Sequence, residues 1–345
     1  MNHKRIIAIL YALGAALFYA INVPCSKLML DNISPTFLAA FLYLGAGIGV
    51  GLMYIPHYIK ENSEERLNKK DLPYTVGMIL LDIIAPILLM FGVNISTSAN
   101  SSLLGNFEIV ATAFIALILF KEKIGKHLWL AIGLITISSF ILSFDVEGGF
   151  SFSMGSLLVL GATVCWGFEN NCTRSISEKS TYQIVTIKGL FSGTGSLIVA
   201  FVKGETFPDL RHILLTLLLG FIAYGLSIFT YIRAQKTLGA AKTSAYYAVA
   251  PFIGAFLSFV ILHETLTPAY LAALIIMIAG TALVVRDTLS HSHIHEHTHL
   301  ITHTHDGSTH THTVVHSHEH QHYISDDKHG HRHSLQELER LLNHQ

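Results

Sequence analysis

Four ionisable residues lie inside stretches otherwise too apolar to hold a charge cheaply: Asp82, Glu108, Glu169 and Lys188. A charge inside a membrane is expensive and by default marks a substrate or ion pathway. Asp82 and Glu108 fall near the middle of their stretches and are candidates to carry a proton and couple its movement to that of a solute. Lys188 can neutralise one carboxylate or hold the carboxylate of a substrate; alternatively, Lys188 and Glu169 form a structural pair that locks two helices. Asn22, Asn100, Tyr224 and Tyr246 are further candidates to line the same cavity. At 100° per residue, Asn100, Leu104 and Glu108 share one broad side of a helix, with Asn106 pointing nearly the other way. Cys165, Glu169 and Cys172 recur at i, i+4 and i+7, a set that suits zinc or another borderline-soft ion. The alternative is that the cysteines pack as small apolar residues.

A second chemistry lies after Arg286. Seventeen of the 22 histidines lie there, mostly as His-X-His: His291, His293, His295, His297 and His299, then His303 and His305, His310 and His312, His316, His318, His320 and His322, and finally His329, His331 and His333, with His344 alone. Neutral imidazole ligates zinc, nickel, cobalt and copper, and alternation in an extended chain puts the rings on one side. The tail is therefore expected to bind Zn, Ni or Co, with cytoplasmic pH sensing as the rival role. Residues 290–333 cannot bury a core and are expected to be disordered without a ligand. Residues 334–345 open with a capping box, Ser334 to Glu337, and place Leu335, Leu338, Leu341 and Leu342 at helical spacing. They read as a short amphipathic helix that docks when the tail binds metal, or else as a frayed end.

The elements that must position these groups are membrane helices. Of the 345 residues, 51% are hydrophobic and 13% charged, against about 25% charged in soluble domains. Spanning a bilayer takes roughly 20 mostly apolar residues. Ten such spans are expected at 5–23, 36–56, 73–93, 98–120, 126–144, 153–173, 182–202, 211–231, 241–262 and 268–286. The first reads as a retained helix rather than a signal peptide, because Asn22 and Pro24 end the run and no small-residue cleavage site follows. Basic residues crowd the loops on one side, with only Lys27, Lys203 and Arg211 on the other, which places both termini in the cytoplasm. Nothing in the charge balance points to nucleic acid, the three cysteines form no disulfide framework, and oligomeric state is not encoded in any visible pattern.

The chain also repeats itself. Ala99–Glu122 aligns without a gap on Ala241–Glu264, bringing Ser102 onto Ser244, Phe114 onto Phe256 and Glu122 onto Glu264. Asn22 to Lys27 echoes Glu169 to Arg174, and Asp82 aligns with Tyr224. Five spans per half is an odd number, so the halves are inverted. The charges agree: Lys121-Glu122-Lys123 is basic, whereas its partner His263-Glu264-Thr265 has no Lys or Arg. The expected architecture is an all-α membrane protein of ten helices in two inverted five-helix repeats (1–145 and 146–289), followed by the histidine tail.

The run from Ala241 through Pro251 to Glu264-Thr265-Leu266-Thr267, then a helix ending at Gly280, resembles the EamA branch of the drug/metabolite transporter superfamily. The first half matches at Glu122 but carries Glu108-Ile109 where the second has Ala250-Pro251. The resemblance covers roughly residues 5–286. It implies a carrier with a central cavity and alternating access, moving small metabolites such as amino acids or amines, commonly outward. Expected partners are the lipid bilayer of the cell membrane and a small-molecule or metal substrate. Two alternatives stand beside a proton-coupled metabolite exporter: a transition-metal efflux carrier fed by the tail, and a non-transporting metal sensor. No nucleophile–base pair, phosphate loop or cofactor motif indicates an enzyme.

Overall fold

The computed structural model describes residues 3–59, 61, 63–120, 125–145, 151–238, 240–305 and 308–323. It divides into two units, Met1–Val285 and Arg286–Gln345.

The first unit is helical almost throughout. Its elements are α1 (His3–Ala20) and α2 (Asn22–Met29), α3 (Pro35–Tyr58), α4 (Leu72–Ile95), α5 (Ser98–Leu104) and α6 (Phe107–Phe120), and α7 (Lys126–Ser143). The second half supplies α8 (Met154–Ser175), α9 (Thr181–Val202), α10 (Leu210–Gly220) and α11 (Ser227–Leu238), α12 (Ala240–Tyr247) and α13 (Ala250–Leu262), and α14 (Pro268–Leu289). Among the described residues, nine helical segments are long and apolar enough to cross a membrane. The tenth expected span is α8, with 22 residues. Glu169, Asn170 and Asn171 dilute its hydropathy, and α4 and α6 cover it. Two short strands, β1 (Phe144–Asp145) and β2 (Ser151–Phe152), pair between α7 and α8.

Caps and prolines set the helix ends. Thr97, Ser180 and Asp209 accept backbone hydrogen bonds at the starts of α5, α9 and α10. Pro24 does not stop the first span, because it falls in the first turn of α2, where its missing N–H costs nothing. The helical segment therefore runs to Met29 and carries Lys27 with it. Pro86 sits inside α4 without breaking it, but it removes the donor that would serve the Asp82 carbonyl four residues earlier. The corresponding span of the second half passes through a π-helical stretch, Phe221–Leu226, at the level of Tyr224, and runs on to Leu238. Two spans are broken outright: α5 gives way to α6 at Gly105–Asn106, and α12 to α13 just before Pro251.

Packing follows a pseudo-twofold between the halves. Helix α3 lies against α9, each being the second helix of its repeat. The packing of α4 on α8 is matched by α11 on α1, and that of α6 on α8 by α13 on α1. The α3–α9 seam is close because its glycines let backbones touch, which is how membrane helices associate without a hydrophobic drive. A Cβ on Gly189 would lie 2.3 Å from the Gly47 nitrogen, and one on Gly193 would lie 2.7 Å from the Leu44 nitrogen. Gly189→Val should therefore cost about 3 kcal/mol or more. In detergent, a melting temperature within a degree or two of the wild type would contradict this packing.

The second unit contains an antiparallel pair, β3 (Ser290–His305) and β4 (Ser308–Tyr323). The described backbone here is extended and paired. The two-residue alternation with Thr, Val and Ile between histidines is a strand pattern, and the ladder uses it. The register sets His291 opposite His322, His293 opposite His320, His295 opposite His318 and His297 opposite His316. His329, His331, His333 and the expected helix at 334–345 lie outside the described residues, as do Lys121, Glu122 and Lys123.

Candidate functional site

The four intramembrane charges come together. Lys188 on α9 reaches both Asp82 Oδ2 on α4 at 3.0 Å and Glu169 Oε1 on α8 at 2.8 Å. All three are enclosed: Asp82 is 0% exposed, Glu169 3% and Lys188 5%. Further donors complete the carboxylates. Tyr43 donates its hydroxyl to Asp82 Oδ1 at 2.9 Å, Trp166 approaches the Tyr43 hydroxyl through its indole N–H, and Thr173 donates to Glu169. The two roles considered for Lys188, structural partner and neutraliser, are thus combined in one group.

Glu108 lies one step away. It sits in the first turn of α6, where a helix N-terminus favours a negative side chain. Asn170 donates to Glu108 Oε1 at 2.6 Å, with Thr112 at 3.4 Å from the same amide. Residues 169 and 170 are neighbours on α8, so one turn of backbone carries both the triad contact and the Glu108 contact. Glu108 and Asn170 each keep partial accessibility.

Asn22 and Tyr224 form the symmetry-related counterpart, each pair taking one residue from each half. Asn22 Nδ2 donates to the Tyr224 hydroxyl at 3.0 Å, and Ser26 donates to Asn22 Oδ1. By the repeat, Asn22 corresponds to Glu169 and Tyr224 to Asp82. The same two positions are therefore charged and bridged by lysine in one of these contacts between the halves, and neutral and directly bonded in the other. Tyr224 also stacks near Tyr43, with ring centres 4.9 Å apart, and edge-on to Tyr19 at 5.7 Å.

Asn100 and Tyr246 are not among the residues that the contacts above join to the cluster. Asn100 stays in the first turn of α5, its backbone N–H on Thr97 Oγ1. It is eight residues, or about 12 Å of helix, from Glu108, and the break at 105–106 interrupts the phasing that aligned them. Of the two neighbouring tyrosines of α12, Tyr247 joins the aromatic set, 5.9 Å from Tyr19 and 5.2 Å from Tyr231. The cysteine set does not form either: Glu169 is held by Lys188 and Thr173, and no metal-ligand group of three or more side chains occurs among the described residues.

At one end the two broken spans seal against each other. Helix α5 packs on α13, Ser98 and Ser258 share a hydrogen bond at 2.8 Å, and a Cβ on Gly254 would meet Ser102 Oγ at 3.2 Å. Both oxygens of Glu264 accept from the first turn of α5, at 2.6 Å from Ser98 N and 2.8 Å from Ala99 N. Beside it, Lys27 Nζ donates to the carbonyls of Val93, Asn94 and Ser96 at the end of α4. Past the breaks the spans take different partners, α6 going to α8 and α12 to α1 and α11.

Residues 6–144 and 153–286 each match the EamA-like transporter family. The chain belongs to the EamA-like transporter family. The two matches fall on the two halves, one copy each. An uncharacterized transporter of Methanothermobacter thermautotrophicus is 25% identical over 301 residues, spanning 81% of this chain and 87% of that one. The uncharacterized transporter YyaM of Bacillus subtilis is 24% identical over 274 residues, 76% and 87% respectively. A protein of known crystal structure shares the fold with a TM-score of 0.60 at 18% identity, over 81% of this chain and 96% of that one. This chain is thus a multi-pass membrane transporter. Within this EamA-like fold, Tyr43, Trp166, Asn170 and Glu264 complete the charged cluster and the seal, and only the Glu122–Glu264 echo marked one of them in advance as a repeated position.

Proposed function

We propose that this EamA-like protein is a proton-coupled secondary transporter that moves a small amino acid or amine outward across the cell membrane. The carrying observation is the charge balance at the centre: Asp82 and Glu169 share one ammonium, Lys188, and a third carboxylate, Glu108, lies beside them on Asn170. An excess of carboxylate in a low-dielectric interior is tolerated only when protons or a cationic solute join it. The triad takes the coupling proton, and Glu108, lining the cavity, meets the solute. The end sealed by α5 and α13 faces outward under the positive-inside orientation, so the cavity faces the cytoplasm. The test is proton release in proteoliposomes challenged with a panel of amines and amino acids. Asp82→Asn should abolish solute-driven proton movement, and unchanged proton movement would remove the triad from the coupling role.

The histidine tail supports a metal-binding role as a cytoplasmic sensor or reservoir rather than as a feed for metal efflux. Lys188 occupies the space between the two carboxylates that a metal would need. Zinc, nickel and cobalt flux into inside-out vesicles should be absent both for the full chain and for a chain ending at Ser290. Metal flux surviving the truncation would make the membrane unit a metal carrier.

A further inference from the structure

Resting on the reading of Glu108 as the solute contact, we infer that the transported solute is an organic monocation with an apolar or aromatic body and no carboxylate. Glu108 has no cationic partner among the described residues: its only hydrogen bonding partner is the Asn170 amide, on one oxygen. The cations that could serve it are engaged elsewhere. Lys188 is shared by Asp82 and Glu169, Lys27 is held by three carbonyls, and Arg233 lies over the rings of Tyr182 and Phe229. An ammonium group therefore finds an unmatched carboxylate.

The surroundings match the rest of such a solute. Tyr19, Tyr224, Tyr231 and Tyr247 form a continuous set of rings, with neighbouring centres 5.2 to 5.9 Å apart. The set reaches the charged centre through Tyr43, whose ring centre lies 4.9 Å from that of Tyr224 and whose hydroxyl donates to Asp82. The rings come from α1, α11, α12 and the π-helical stretch, and Glu108 and Asn170 from α6 and α8. Ring faces attract cations, and their edges and bodies bury apolar surface. A zwitterion is disfavoured at the same place. Its carboxylate would meet Glu108 at the N-terminus of α6, where Lys188 is already held by Asp82 and Glu169.

The test compares 2-phenylethylamine with phenylalanine, which differ by the carboxylate alone, as tritiated probes. Equilibrium binding to the full chain in detergent needs no gradient, so it is independent of coupling. Phenylethylamine should bind at least about tenfold tighter than phenylalanine, and Glu108→Gln should weaken the amine about tenfold or more while Glu108→Asp restores part of the loss. Tyr247→Leu should weaken it more than Tyr247→Phe. Equal or tighter binding of phenylalanine, binding of neither probe, or an unchanged amine affinity in Glu108→Gln overturns the assignment. Amine binding that drives no proton movement in proteoliposomes would instead overturn the coupling proposal and leave the substrate class standing.

Discussion

Lys188→Met should be among the most damaging single substitutions in the membrane unit. It leaves Asp82 and Glu169 facing each other across the space the ammonium filled, both enclosed. Removing one partner of a buried charge group typically costs about 3–5 kcal/mol, because the remaining charge is uncompensated. The variant should lose a large part of its thermal stability in detergent and all solute-driven proton movement. The triple variant Asp82→Asn, Glu169→Gln, Lys188→Met separates the two effects. With no charge left to pair, it should regain most of the stability and none of the coupling. If the triple variant still moved protons with solute, the triad would be structural only.

The second large effect is expected at the sealed end. Glu264→Gln keeps the shape of the side chain but points an amide N–H₂ at one of two backbone N–H groups. A charge-assisted cap becomes half a neutral one, a loss of about 1–3 kcal/mol. That is enough to shift a two-state equilibrium by roughly tenfold or more. A cysteine introduced at Ser102, buried against Gly254 in the seal, reports the shift. In the Glu264→Gln background it should react several-fold faster with a membrane-impermeant maleimide than in the wild-type background. Equal labelling rates would show that Glu264 does not hold the seam shut.

The sequence carried the architecture well, because hydropathy and the internal repeat are properties of whole segments. Ten stretches of adequate length, an odd number per half and a charge reversal between Lys121-Glu122-Lys123 and His263-Glu264-Thr265 are all readable without coordinates. The meeting of Asp82, Glu169 and Lys188 was legible as a suspicion, since costly residues in membranes seek one another. Which of them pair was not, because that depends on how α4, α8 and α9 are rotated, and rotation is fixed by contacts such as Gly47 on Gly189. Asn100 shows the same limit from the other side: a helical wheel assumes one continuous helix, and no proline announces the break at Gly105–Asn106. Tyr246 and Tyr247 differ by 100° on a helix whose direction only its neighbours Tyr19 and Tyr231 reveal. The strand pairing in the tail depends on register, which alternation alone leaves open.

The unequal halves bear on how such a carrier is encoded. Two identical five-helix subunits, inserted in opposite orientations, would have to place every buried charge twice about their axis. The carboxylate surplus at the centre would double, within one low-dielectric volume. Joining the halves in a single gene lifts that symmetry. One of the two symmetry-related contacts between the halves keeps Glu169 facing Asp82 through a lysine, while the other sets Asn22 directly on Tyr224. Covalent fusion thus lets a symmetric scaffold, whose backbone pairings still obey the twofold, carry a single ionic centre.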